Sequence, residues 1–209
     1  VMRPPAGKSI SVTARKIYTS ILATAQGHLG RMNQPMLATD KFQAPMSAIL
    51  TQIGLGDMKM QYAKELVVEM ATWVLIHETA NDSGETELFR VQNMLVSPEL
   101  NLEGNTLWLR WSLDADIIRL LDPQTLKDPS NHYAYINLLI ASKLSSYAAF
   151  ALYEICAKFK DNFDGLTASK PRDWWIDALS SKAPAEGEKR RPWVKFKSEK
   201  VLPALDEIN

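Results

Sequence analysis

Between Met46 and Ser112 the hydrophobic pattern of the chain changes period, and this change restricts the possible folds more than any other feature. In "PMSAILTQI" the apolar residues Met46, Ile49, Leu50 and Ile53 recur at helical spacing, with Pro45 at a helix start. "GLGD", Gly54 to Asp57, then interrupts them. Its two glycines permit a tight left-handed turn, and Asp57 is a good N-cap for a new helix. That second helix runs through "MKMQYAKELVVEMA", with Leu66, Val67 and Met70 inward. Helix, short Gly-containing turn, helix is the grammar of a helix-turn-helix. Downstream the period drops to two. "TWVLIHET" and "LFRVQNMLV" are rich in bulky and β-branched residues. In "TLWLRWS", Leu107, Leu109 and Trp111 alternate with Trp108, Arg110 and Ser112. "SPELNLEGN" reads as the hairpin loop before that last strand.

Two long strands after a helix-turn-helix form a winged-helix pattern. Upstream, "SVTARKIYTSILATAQ" reads as an amphipathic helix capped by Ser11 or Thr13 and broken at "GHLGRMNQP". Downstream, "DADIIRLLD" reads as a short helix with Asp114 as N-cap and Asp116 as a first-turn acid. "YINLLIASKL" fits strand and helix equally. Residues 1–143 are therefore expected to form a first winged-helix unit.

Residues 144–209 repeat the opening half of that plan. "SSYAAFALYEICAKFKDN" carries Ala148, Ala151, Leu152, Ile155 and Phe159 on one stripe. "SKPRDWWIDALSS" is a second helix, with Ser169 as cap and Trp174, Trp175, Ala178 and Leu179 inside. The third, recognition-like helix starts near Pro192, with Val194, Val201, Leu205 and Ile208 toward the core. Pro203 lies within it and should kink or break it, because it lacks an N–H and crowds the preceding turn.

These segments resemble plasmid replication initiators of the Rep_3 family, the RepA- and RepE-like proteins. "SVTARKIYTSILATAQ" is similar to that family's opening helix. The helix with Tyr147, Leu152, Tyr153 and Glu154 looks like a signature of the family, and "WVKFKSEKVLPALDEIN", with its internal Pro203, is the most specific match. The resemblance implies an α+β, helix-rich fold of two tandem winged helices, the second lacking its wing, which in the family follows the position of Asn209. It implies a first unit that dimerises and touches the DNA backbone, and a second that places its recognition helix in the major groove of repeated origin sequences (iterons). It also implies autorepression as a dimer, and the host replication initiator and replicative helicase as partners.

Charge is balanced overall, 24 cations against 24 anions, so a DNA reading must rest on local clustering. Between Lys182 and Lys200 stand seven cations and three anions, a local excess of four. Arg190, Arg191, Lys195, Lys197 and Lys200 are the candidate DNA contacts, since Lys and Arg neutralise phosphates and release counterions. The plain alternative is a solvated helix face. In the first unit Lys59 and Lys64 are candidates, opposed by Glu65 and Glu69; Arg15 and Lys16 offer less. The pair Trp108 and Trp111 points to both sides of a sheet, so one of them could serve a dimer surface.

Catalysis finds little support, and the chain is expected not to be an enzyme. His28, His77 and His132 lack metal spacing, Cys156 has no neighbouring His, and no phosphate-binding loop ends in Gly-Lys-Ser/Thr. No cofactor is implied. The longest apolar run, "LVVEMATWVLI", is short for a membrane span and contains Glu69. With one cysteine and no apolar leader in Val1–Ser9, a cytoplasmic location is expected. Two other functions remain open: a transcriptional repressor of the same fold, and a protein–protein dimerisation module without specific DNA binding.

Overall fold

Helix α1 (Val12–Leu29) is the element around which the chain is assembled. The computed structural model describes residues 2–3, 9–32, 40–80, 86–122, 134–160, 164–167, 169–182 and 188–209; for residues 2–3, 75–80 and 86–92 it describes the backbone alone. Ser11 caps α1, its hydroxyl accepting from the Ala14 N–H. Residues 14 to 21 of α1 are all buried, polar ones included. The helix runs on through Gly27 to Leu29 before Gly30 ends it, three residues beyond the expected break.

After α1 come strand β2 (Phe42–Pro45), helix α2 (Met46–Thr51) and helix α3 (Met60–Ala71). Met46, Ile49, Leu50 and Ile53 are all buried, as are Ala63, Leu66, Val67 and Met70 on α3. Gly54 makes the turn as its sequence predicts. It takes φ 72° while its N–H bonds Thr51 O and the Leu55 N–H bonds Leu50 O, a Schellman closure of α2. Asp57, however, does not cap α3. The Met58 N–H returns to Leu55 O, so the turn continues past Asp57 and α3 starts at Met60 after Lys59.

Four strands follow α3, in two hairpins: β3 (Val74–Ala80) with β4 (Thr86–Asn93), and β5 (Val96–Glu103) with β6 (Thr106–Ser112). The expected loop "SPELNLEGN" is thus mostly strand β5, and the turn shrinks to Gly104 and Asn105, with Gly104 at φ 60°. Pro98 is the reason for the difference. It falls in the register break between Val96 and Glu99, on an edge strand, where no ladder N–H is needed. One antiparallel sheet has the order β2-β6-β5, and the other, β1-β3-β4, begins with β1 (Met2–Arg3). Trp111 on β6 is fully buried and stacks on Phe42 of β2, ring centres 5.6 Å apart. Trp108, on the opposite face, is half-buried.

Helix α4 (Ala115–Leu121) starts as its carboxylates predict: Asp114 accepts from the Asp116 N–H, and Asp116 pairs with Arg119. The ambiguous segment is helical, α5 (Leu138–Lys143), capped by Asn137. Helix α6 (Tyr147–Phe159) buries Tyr147 through Leu152. Helix α7 (Arg172–Leu179) begins after Pro171 with no side-chain cap, so Ser169 is not its N-cap. Trp174 and Trp175 are half-buried, edge to face at 5.0 Å, while Ile176, Ala178 and Leu179 are buried.

The last segment is helix α8 (Trp193–Phe196), a π-turn (Lys197–Val201) and helix α9 (Leu202–Ile208). Pro203 cannot donate to Glu199 O, and its ring crowds that carbonyl. The chain widens by one residue, and the Leu202 N–H bonds Lys197 O. The inserted residue also changes which face is buried. Phe196 and Ala204, eight apart, lie roughly 80° apart on a regular α-helix; the π-turn brings them to one face, and both are buried. The expected core stripe is displaced accordingly: Val194 is 81% exposed, Leu205 is exposed, and Val201 and Ile208 only partly covered. One continuous set of buried side chains runs from Ile10 and α1 through α2, α3 and α6 to Phe196 and Ala204.

Candidate nucleic-acid interface

Residues 188–200 bring cations to the surface by a local rule. Pro192 fixes the entry to α8, and Trp193 and Phe196 hold the helix inward, their rings stacked at 6.3 Å. Lys197, Ser198, Glu199 and Lys200 fill the widened π-turn, and all four are exposed. A regular helix packed on one side would bury part of such a run.

Beside this turn lies a cleft of about 340 Å³, between the start of α6, the end of α7 and α8 with its π-turn. Five cations line it: Lys182, Lys189, Arg190, Arg191 and Lys200. Three carboxylates share it: Asp177, Glu188 and Glu199. Arg190 is held by α7. Its Nε and Nη2 donate to the two oxygens of Asp177 at 3.0 Å each, and Asp173 lies 3.7 Å away. The bonds it donates to Asp177, and the carboxylate charge, hold the Arg190 guanidinium above its ordinary pKa. Arg191 donates to one oxygen of Glu199 at 2.5 Å, and Lys195 stands 3.9 Å from the other. Lys182 stands 3.9 Å from Glu188. Lys197 and Lys200 are exposed and form no ion pair among the described residues.

The candidates from the two expected units do not converge. Lys59, just before α3, and Lys64, on it, are exposed; α3 packs on α1 and β5, whereas the α8–α9 segment packs on α6 and α7. Tyr62 and Val68 are also exposed on α3, beside Lys64 and Glu65. Arg15 and Lys16 are not available to any partner. They are 5% and 7% exposed, Lys16 Nζ donating to Ser142 O and Arg15 to Glu154 through Nε and Nη2. Burial lowers the Lys16 pKa.

Three residues of α6 are internal fasteners. Tyr147 lies under the Arg15 guanidinium at 4.8 Å, the Tyr153 hydroxyl accepts from the Asn137 N–H, and Glu154 takes Arg15 and Thr19. Sequence reading missed Glu207, which reaches from α9 to the start of α6 and accepts from Ser145 and Ser146. Its signal was Ser-Ser ahead of an apolar helix, an N-terminus able to take an acid from elsewhere in the chain.

Among the described residues no group of three or more His, Cys, Asp or Glu is placed to hold a metal. Burial pushes the Cys156 thiol pKa up. The His77 side chain and His132 lie outside the described residues. No described helix is long and apolar enough to cross a membrane. Comparison of the chain with family models, with curated proteins and with solved structures gives no match.

Proposed function

We propose that this protein binds double-stranded DNA in a sequence-specific manner through Arg191, Lys195, Lys197 and Lys200. The observation that carries this reading is the exposed π-turn beside a cleft with five cations and three carboxylates. Cations so placed can exchange water and counterions for phosphate oxygens. Base reading would fall to arginine or lysine at guanine edges in the major groove. Arg190 supports the surface from behind through Asp177 rather than reaching outward.

The proposal extends to a tandem winged-helix plan, divided near residue 143. In its favour, α1, β2, α2, α3 and the β5–β6 hairpin follow one another, with β2 pairing to β6 beside β5. The β3–β4 hairpin is then an insertion between α3 and the wing. With the family resemblance, the DNA target is the repeated sequence of a plasmid origin, and binding serves replication initiation, with autorepression by a homodimer. The host replication initiator and helicase would be partners in a bacterial cytoplasm, and no catalytic step is invoked. A protein-contact role for the first unit is the second reading, favoured by Tyr62 and Val68 exposed on α3.

Selection from a randomised duplex pool at stated salt tests the proposal. Enrichment of a repeated motif, abolished by Arg191→Ala or Lys195→Ala, is the expected result. A chain that self-associates yet enriches nothing would leave the protein-contact reading.

A further inference from the structure

We propose that Glu199 is an internal competitor for phosphate, so that DNA must displace one carboxylate to reach Arg191 and Lys195. This rests on the DNA-binding reading above and adds a regulation of that same surface. Glu199 lies in the π-turn with one oxygen on Arg191 at 2.5 Å and the other 3.9 Å from Lys195. A carboxylate and a phosphate offer a guanidinium the same paired acceptors, so Glu199 fills the place of a DNA oxygen.

Arg190, one residue away, is held differently. Asp177, its partner, has a side chain only 10% exposed, and Asp173 adds a second carboxylate. That pair is part of the packing of α7. Glu199 and Arg191 are 41% and 47% exposed, so water and salt screen the pair and it separates readily. The free protein therefore masks two of its cations until a stronger, multiply charged partner arrives. A lone stray anion gains little here, whereas a duplex that also engages Lys197 and Lys200 gains those contacts together. Glu199 thus discriminates against weak anions.

The test measures equilibrium binding of a fluorescent random-sequence duplex and of the selected duplex, at several salt concentrations. Wild type is compared with Glu199→Gln and with Glu103→Gln, which removes the same charge from β5 beside Arg110 of β6; thermal melts confirm that each variant is folded. Glu199→Gln is expected to bind about fivefold tighter at low salt, the effect of one nearby charge in water. Its log–log salt slope should stay close to that of wild type, because the same phosphates are neutralised once Glu199 has been displaced. Glu103→Gln should change affinity much less. If wild type binds but Glu199→Gln is no tighter than Glu103→Gln, or binds more weakly, Glu199 is not a competitor and the DNA reading survives. If neither wild type nor any variant binds duplex, the DNA reading itself fails and this inference with it.

Discussion

Arg15–Glu154 and Arg191–Glu199 are both arginine–carboxylate contacts of 2.5 Å. Inside the protein, between α1 and α6, the first has side chains 6% and 20% exposed. On the surface of the π-turn, the second has side chains 47% and 41% exposed. Burial opposes the charge on Arg15, but Glu154 and Tyr147 outweigh it and raise the guanidinium pKa. Arg15 Nη1 finds no hydrogen-bond partner among the described residues, so the buried guanidinium leans on the Glu154 carboxylate that takes its Nε and Nη2. The same chemistry therefore fastens two halves of the chain in one place and tunes a surface in the other. Solvent access decides which.

The largest expected effect comes from breaking the internal pair on one side only. Glu154→Ala should cost about 3–5 kcal/mol, because a charged Arg15 stays buried without its partner. Urea unfolding reads this directly. Replacing both, Arg15→Met with Glu154→Leu, should recover most of the loss, since similar apolar volume removes the stranded charge. An equal loss in both variants would mean that packing alone, not charge pairing, holds α1 to α6. By contrast, Arg191→Ala should change stability by no more than about 0.5 kcal/mol, as exposed pairs do, while weakening DNA binding.

The smallest expected effect lies in the link between these regions. Burial alone would raise the Glu207 pKa, but the donors of Ser145 and Ser146 outweigh it and hold the carboxyl below its ordinary value. A carboxylate with a depressed folded-state pKa stabilises the protein above its unfolded value, about 4.3. That contribution is lost as the pH falls through the lower, folded-state value. Melting temperatures of wild type and Glu207→Gln should therefore differ near pH 6 and converge toward pH 3. A gap that stays constant over this range would remove Glu207 from the acid response.

Much of the helical skeleton could be read from periodicity. Ser11, Asp114 and Gly54 act as their chemistry predicts, and the apolar stripes of α2 and α3 are buried as spaced. What could not be read depends on partners distant in sequence. Pro98 signals a loop until β6 supplies an edge for it. Arg15 and Lys16 count as surface cations until Glu154 and Ser142 enclose them. Along the last helix, Pro203 announced a break, but the direction of the phase shift followed only from the π-turn that Phe196 and Ala204 share. The basic cluster was legible as charge; its division into fixed, masked and open cations required the positions of Asp177 and Glu199.

The central claim is that the π-turn cations contact DNA phosphates, and a salt titration addresses it most directly. Duplex affinity of wild type and of the double variant Lys197→Ala, Lys200→Ala would be measured across a salt series, with melts to confirm equal folding. Two lost phosphate contacts should reduce the log–log salt slope by roughly 1.8, at 0.9 for each. A slope unchanged by the double substitution, with both proteins folded, would contradict the claim.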